Sequence, residues 1–217
     1  MKILAVLEPG SFSQGLRAWF GGGLFCVFAG LAPIANTCSQ ENSKPRDEKK
    51  AAVVMKKDLI IKRVFDAPVD AVWKSWTEPA QIRHWWGPTG FTCPSAKVDL
   101  REGGIALVCM KAPKDFGGQD MYSTWAYKKI VPQKRIEYIH NLADREGKSI
   151  DPASLGMPPD FPRDQLHTVV FQSVGPEKTE LKITEFGWTV GPMREMSELG
   201  MNQCLDKMAK LLAKSAK

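Results

Sequence analysis

The segment 59–87, LIIKRVFDAPVDAVWKSWTEPAQIRHWWG, constrains the fold more than any other part of the chain. Its first seven residues are rich in β-branched and apolar types, so Leu59–Phe65 is predicted to form a strand. Pro68 can occupy the first position of a helix, where its missing N–H is not needed, and apolar residues then recur at helical spacing. Pro79 follows a cap candidate, Thr77, and predicts a second short helix before the WWGP corner. The predicted order is therefore strand, helix, helix and aromatic corner.

The middle of the chain has the pattern of consecutive antiparallel strands. Apolar and polar residues alternate from Ala96 to Arg101, and Gly103-Gly104 marks a turn into a second strand. The later strand-like runs span residues 105–111, 121–131, 135–142, 166–174 and 180–186. Residues 143–165 carry several prolines and glycines among charged residues, which is too long and too punctuated for a plain hairpin loop. We interpret them as a surface excursion over one mouth of the sheet.

The final segment has the clearest helical pattern. It begins at Gly191-Pro192, with Glu195 near its amino end and lysines near its carboxyl end, as the helix dipole favours. Its apolar face consists of Met193, Met196, Met201, Cys204, Leu205, Met208, Leu211 and Leu212. Such a helix must bury that face, and laying it across the concave side of a curved antiparallel sheet does so. The sequence thus predicts an α+β fold.

Five short motifs mark the same part of the chain. They are FDAPxxxVW at 65–73, WWGP at 85–88, DLREGG at 99–104, GMPPD at 156–160 and LGMNQCLDKM at 199–208. In combination they resemble the bacterial single-domain branch of the activator of heat-shock-protein-90 ATPase homologue family, in the START-like SRPBCC superfamily. The resemblance implies a helix-grip fold, similar to Bet v 1, in which a curved antiparallel sheet wraps a long C-terminal helix around a cavity. Met201 stands where many relatives have tryptophan.

Composition and charge assign residues 57–217 to one globular domain. The whole chain has 217 residues and is 43% hydrophobic, which is enough for a folded core. From Lys57 onward there are 23 Lys and Arg and 20 Asp and Glu, a net charge of +3, with the two signs interspersed. A mixed, solvated surface of this kind does not predict nucleic-acid binding.

The N-terminal residues differ in composition from this domain. An almost uncharged apolar run, 18–35, is followed by Cys38 and then by a polar, charged segment, 39–56. We interpret residues 1–38 as a signal-like leader that resembles a bacterial lipoprotein leader, with Cys38 as the lipidated residue. Residues 39–56 would be a linker. The protein is then expected to be exported and membrane-tethered, with only the leader in contact with the membrane.

An internal start is the alternative to this leader. Translation from Met55 would give a protein of 163 residues that begins just before the first predicted strand. Such a protein would be cytoplasmic. The two hypotheses differ in the partners that the domain can meet.

The cysteines do not indicate a disulfide framework or a metal site. The domain has three, Cys93, Cys109 and Cys204, with no CxxC spacing. Cys109 lies in an apolar strand and Cys204 on the apolar helix face, so both are predicted to be buried. Cys93 is predicted to lie near the surface.

Motifs for catalysis are likewise missing from the sequence. It has no GxSxG elbow, Walker loop, GxGxxG after a strand or HExxH pair. His84, His140 and His167 are scattered, and we interpret each as structural. No catalytic residue, metal ligand or cofactor is therefore predicted.

An apolar pocket between the sheet and the last helix is the remaining candidate site. Flexible methionine thioethers suit irregular ligands, and polar groups on the strands would orient such a ligand. His140 is of interest because it shares strand parity with Tyr138. The predicted pocket residues are Met110, Met121, Trp125, Tyr138, His140, Gln172, Met196, Met201 and Cys204. The alternative is that the methionines simply fill the core.

Three functions follow from these observations and from the family resemblance. The first is binding of a small hydrophobic molecule in the cavity. The second is a co-chaperone-like interaction with an ATPase chaperone, as the family resemblance implies. The third is weak cyclase- or hydrolase-like catalysis in the same cavity, and the sequence leaves open whether the protein is an enzyme.

Overall fold

One continuous antiparallel sheet forms the frame of the molecule. The structure, a computed structural model, describes residues 55–215. Its seven strands are β1 (Lys56–Phe65), β2 (Ala96–Val98), β3 (Ile105–Lys111), β4 (Asp120–Val131), β5 (Arg135–Ala143), β6 (Gln165–Gly175) and β7 (Lys178–Thr189). They lie in the order β1-β7-β6-β5-β4-β3-β2. Apart from the β1–β7 pairing, neighbours in the sheet are neighbours in the chain, as expected of a meander.

Three helices accompany this sheet. Two short ones, α1 (Val69–Thr77) and α2 (Pro79–Trp85), follow β1, and the long α3 (Pro192–Ser215) closes the chain. Single 3-10 turns lie at Lys114–Phe116 and Pro152–Leu155. The curved antiparallel sheet with its long C-terminal helix confirms the predicted helix-grip fold. Within residues 55–215, no helix has the length and apolar character needed to cross a membrane.

An aromatic cluster fills the space between the short helices and the sheet. Trp76 of α1 lies with its ring centroid 4.8 Å from that of Trp85 of α2 and 6.2 Å from that of Trp125 on β4. All three rings are fully buried. The Trp85 indole N–H donates to the Ser75 carbonyl at 2.7 Å, which fixes the angle between the two short helices. The tryptophans of the segment 59–87 thus dock that segment onto the sheet.

The two halves of α3 have different environments. From Met201 onward it buries one face in the core, through Met201, Cys204, Leu205, Met208 and Leu212. Polar contacts anchor the same half: the Lys207 ammonium donates to the carbonyls of Gly87 and Phe91, at 2.8 and 3.1 Å. Residues 192–200 contain no buried side chain. The first half of the helix is therefore less deeply buried than the second, and Arg194 and Ser197 hydrogen-bond it to β1 and β7.

The structure corrects the prediction for Cys93. Cys109 and Cys204 are buried as predicted, but Cys93 is also buried, with only 5% of its surface exposed. A β-bridge between Thr92 and Lys111 draws this segment onto β3, which alternation along β2 could not reveal. Burial raises the pKa of the Cys93 thiol to about 11, so the thiol is neutral at physiological pH. In the described part of the chain all three cysteines are free.

Several predictions from the N-terminal sequence lie outside the described residues. These are the leader at 1–38, the lipidation of Cys38 and almost all of the linker at 39–56. They stay predictions.

Candidate ligand site

A cavity of about 230 Å³ lies between the sheet and the first half of α3. Strands β5, β6 and β7 form one wall, α3 forms the other, and the corner after α2 and the excursion between β5 and β6 close the ends. The cavity is lined by Trp86, His140, Phe161, Gln165, His167, Glu185, Trp188, Met193, Met196, Ser197 and Met201. The walls are mostly aromatic or thioether, with a small polar group on the sheet side.

The end of the excursion is fixed to the sheet directly before the cavity. The Asn141 side chain accepts from the Asp164 backbone N–H at 2.8 Å and donates to the Asp164 carboxylate at 2.9 Å. Asp164 has a φ of +48°, which aspartate tolerates better than most residues. This reciprocal pair holds the start of β6 in place. Gln165, the next residue, is thereby directed toward the cavity.

Two histidines form the floor of the cavity. His140 on β5 and His167 on β6 stack with ring centroids 5.1 Å apart and an interplanar angle of 25°. The ring of Tyr138, which is buried in the core, has its centroid 5.1 Å from that of His167. Burial lowers the pKa of His140 to about 4, and burial together with His140 lowers the pKa of His167 as well. Both imidazoles are therefore neutral near pH 7.

A buried carboxylate lies on the same wall. Glu185 on β7 is only 2% exposed, and its Oε2 accepts from the Trp188 indole N–H at 2.7 Å and from the Ser197 hydroxyl at 2.9 Å. Burial raises the pKa of Glu185, and these two hydrogen bonds oppose that rise. The Ser197 contact joins the first half of α3 to the sheet. Glu185 thus links the two walls of the cavity.

Aromatic rings shape the rest of the cavity. Phe161, from the excursion, meets Trp188 edge to face with ring centroids 5.8 Å apart. Trp86 packs edge to face on Trp125 at 4.9 Å, so the cavity borders the aromatic cluster of the core. Met193, Met196 and Met201 complete the helix side. An apolar ring system could contact aromatic or thioether groups on several sides.

The structure distributes the nine predicted pocket residues among three environments. His140, Met196 and Met201 line the cavity. Trp125, Tyr138 and Cys204 are buried in the core behind it. Met110 and Met121 pair with each other across β3 and β4, and Gln172 is exposed near the far end of β6. Strand parity located the inner face on β3, β4 and β5, but Gln172 lies on the outward face of β6, opposite to the buried His167, Val169 and Phe171.

Sequence reasoning missed several lining residues. The sequence pattern indicates a structural role for His167 and does not single out Glu185, Gln165, Trp188 or Phe161. A signal was present, since Glu185 shares strand parity with Leu181 and Ile183, both of which are buried. An acidic residue on the inward face of a strand indicates either a buried partner or a site. Phe161 had no such signal, because its position depends on the path of the excursion.

A second, larger depression of about 440 Å³ shares Phe161 and Gln165 with the cavity. It is lined mainly by the excursion residues 159–164 and by the ends of β1 and β7. It is lined by neither His140 nor His167, and it does not include Glu185. Within residues 55–215, no group of His, Cys, Asp or Glu side chains is arranged to hold a metal ion. The cavity under α3 is therefore the candidate site.

A seven-stranded sheet that grips its C-terminal helix, with a cavity between them, defines a protein of the helix-grip SRPBCC class. The sequence model described as "Activator of Hsp90 ATPase homolog 1-like protein" matches residues 66–213, which is more than half of the chain. The chain belongs to this family. No curated protein matches the chain significantly.

Solved structures with the same fold come from several bacteria. A protein from Chromobacterium violaceum is 25% identical with a TM-score of 0.58, and the match covers 71% of this chain and 96% of that one. A protein from Arthrobacter aurescens is 24% identical with a TM-score of 0.59, covering 75% and 92%. The AHSA1 protein from Silicibacter pomeroyi is 18% identical with a TM-score of 0.56, covering 73% and 99%. These similarities support the fold.

Proposed function

We propose that this protein binds a small, largely apolar molecule in the cavity between the sheet and α3. The observation that carries the proposal is the composition of the cavity wall. Aromatic and thioether side chains surround a few buried polar groups, which is the usual make-up of a small-molecule site. A core that only filled space would have no reason to bury a carboxylate and an imidazole, those of Glu185 and His167, beside a void.

The size of the cavity limits the ligand. Its volume of about 230 Å³ is below the range of about 300 to 1,000 Å³ that is typical of ligand pockets. At roughly 30 Å³ per water molecule, this volume corresponds to a molecule of about eight non-hydrogen atoms. A compound with one or two rings fits this limit. Larger ligands would require α3 to move.

A titration with benzofuran, a two-ring apolar probe, tests the proposal. We expect benzofuran to shift the NMR signals of cavity residues, and Met201→Trp to weaken its binding at least about tenfold by filling the space. Leu199→Trp is the matched control, because Leu199 lies two residues away on α3, is exposed and does not line the cavity. Equal weakening by both variants, or shifts spread over the surface, would contradict the proposal.

Docking on a chaperone is a second candidate function. The name of the matching family refers to an activator of the Hsp90 ATPase. Two apolar residues on β1, Ile60 and Val64, support an interaction surface. Both side chains are more than half exposed, and both lie on the same face of the strand. If this function holds, the purified domain should stimulate the ATPase of a bacterial Hsp90, and Ile60→Ser with Val64→Ser should abolish that effect. Benzofuran binding would be unaffected by the same substitutions.

A further inference from the structure

The two carboxylate oxygens of Glu185 have different environments. Its Oε2 accepts both hydrogen bonds, from the Trp188 indole N–H and the Ser197 hydroxyl, whereas its Oε1 accepts none from any residue between 55 and 215. The side-chain atoms of this range that are both fully buried and unpaired belong to Trp76, Trp125, Tyr127, His167 and Arg194. Oε1 of Glu185 is not one of them, so it keeps some accessible surface. Because Glu185 lines the cavity, that surface faces the cavity.

The cavity wall contains no basic group to balance this carboxylate. Within residues 55–215, no lysine or arginine lines the cavity. Burial lowers the pKa of His140 to about 4 and lowers that of His167 as well, so neither imidazole is a cation near neutral pH. The formal charge of the wall is therefore negative and belongs to Glu185.

Arg194 of α3 is close enough for its charge to act on Glu185, but it is directed elsewhere. Its guanidinium donates to the Asp58 carbonyl at 3.1 Å and lies 3.7 Å from the Glu198 carboxylate. In the described part of the chain, Glu185 forms no ion pair. A buried charge without an opposite charge beside it is costly, so a cation in the cavity would stabilise this carboxylate.

Three aromatic rings line the same space. They belong to Trp86, Phe161 and Trp188, and the Trp188 indole is hydrogen-bonded directly to Glu185. The face of an aromatic ring attracts an organic cation, tryptophan most strongly, and the attraction increases when the cation is removed from water. A carboxylate beside such rings can therefore hold a protonated amine, with the rings in contact with the carbon atoms around the nitrogen.

We propose that the ligand is a small organic ammonium ion, a protonated amine on an apolar body, whose N–H donates to Oε1 of Glu185. This inference rests on the proposed function and specifies the chemistry of its ligand. The positive charge follows from the carboxylate that no basic group balances. The apolar body follows from the aromatic and thioether side chains that make up the rest of the wall.

Benzylamine and benzyl alcohol provide a matched test, because they have the same shape and differ in an ammonium against a hydroxyl group. We expect the full chain to bind benzylamine on the order of tenfold more tightly near neutral pH, as measured by calorimetry. In Glu185→Gln, which keeps an oxygen acceptor but removes the charge, this preference should disappear. Glu195→Gln removes an exposed carboxylate from the same half of α3 and should preserve the preference.

A second measurement needs no substitution. The ¹³C NMR signal of the Glu185 carboxyl should shift strongly on addition of benzylamine and little on addition of benzyl alcohol. If Glu185→Gln does not fold, this spectrum decides. Equal affinity for the two probes, a preference that persists in Glu185→Gln, or a carboxyl signal that benzylamine leaves unchanged would overturn the inference, and binding of benzofuran would leave the proposed function standing. Failure of benzofuran and of both probes to bind would overturn both.

Discussion

At the scale of single residues, the buried Glu185 makes folding depend on pH. Burial raises its folded pKa above the ordinary value of 4.5, so the charged form is disfavoured in the folded protein. The stability associated with the neutral carboxyl is complete below pH 4.5 and is lost as the pH rises through the folded pKa. The hydrogen bonds from Trp188 and Ser197 reduce this loss without removing its cause.

Glu185→Gln should remove this pH dependence. Glutamine keeps an oxygen that can accept from the Trp188 indole, and it does not ionise. We expect the wild type to lose stability relative to Glu185→Gln as the pH rises above 4.5, as measured by urea unfolding across that range. If the free energy of unfolding depended on pH in the same way for the two proteins, burial would not raise the pKa of the Glu185 carboxyl.

His140 should contribute a pH dependence of the opposite sign. Its folded pKa of about 4 lies below its ordinary value of 6.5, so it adds stability above pH 6.5 that is lost as the pH falls toward 4. At about 1.4 kcal/mol per pKa unit, with allowance for its partial exposure, we expect a loss on the order of 2 kcal/mol. His140→Phe should remove it in urea unfolding experiments. His84→Phe is the control, because His84 is exposed, and it should leave the loss of stability at low pH unchanged. An equal effect of His84→Phe would contradict the assignment of this loss to His140.

At the scale of elements, α3 is a helix with two environments joined at a glycine. The half after Gly200 is held in the core and by Lys207, whereas residues 192–200 lie over the cavity with no buried side chain. A Cβ added at Gly200 would meet nothing within 4 Å. Packing therefore does not require glycine here, and its presence weakens the helix beside the site.

Gly200→Ala should stabilise the protein by roughly 0.5 to 1 kcal/mol, because alanine restricts the unfolded chain and fits the helix without a clash. Urea unfolding measures this gain. Gly87→Ala is the contrasting variant: Gly87 has a φ of +100°, and an added Cβ would lie 3.1 Å from the Phe91 Cβ and 3.3 Å from the Met110 Cγ. It should destabilise the protein. A destabilised Gly200→Ala would mean that α3 needs the glycine for a bend.

At the scale of the whole molecule, the N-terminal sequence determines which partners the domain can reach. The fold of the domain does not by itself decide between small-molecule binding and chaperone docking, because one fold can serve either function. Export would remove a cytosolic chaperone from reach. We propose export as a lipoprotein, on the basis of the apolar run at 18–35 and Cys38.

Fractionation of the native protein tests this proposal. We expect the protein in the membrane fraction, with a mature chain that begins at a lipid-modified Cys38, because a diacylglyceryl group and a polar linker would tether the domain. Cys38→Ala should move it out of that fraction, whereas Cys26→Ala should not. N-terminal sequencing that finds Met55 as the first residue would contradict export and favour the chaperone candidate.

The elements of this fold were predictable because each has a local cause. Runs of β-branched residues predicted the strands, and Pro68 and Pro79 predicted the starts of α1 and α2. The apolar face that begins at Met193 predicted α3. The observed bounds extend several of these elements by one to three residues, as at β1 and β7, because pairing with a neighbour orders residues that lack a strong pattern of their own.

The positions of the residues around the candidate site depend on more than local sequence pattern, and the reason is physical. Alternation along a strand determines which side chains face inward, so His140 was on the correct face from the sequence alone. The register between β5, β6 and β7 determines which inward side chains meet, and the path of the excursion determines that Phe161 reaches Trp188. Gln165, whose side chain contacts His167, donates to the carbonyl of Phe186, 21 residues along the chain. Contacts of that range exist only after the strands have paired, so the chemistry of the site was decided by the tertiary structure.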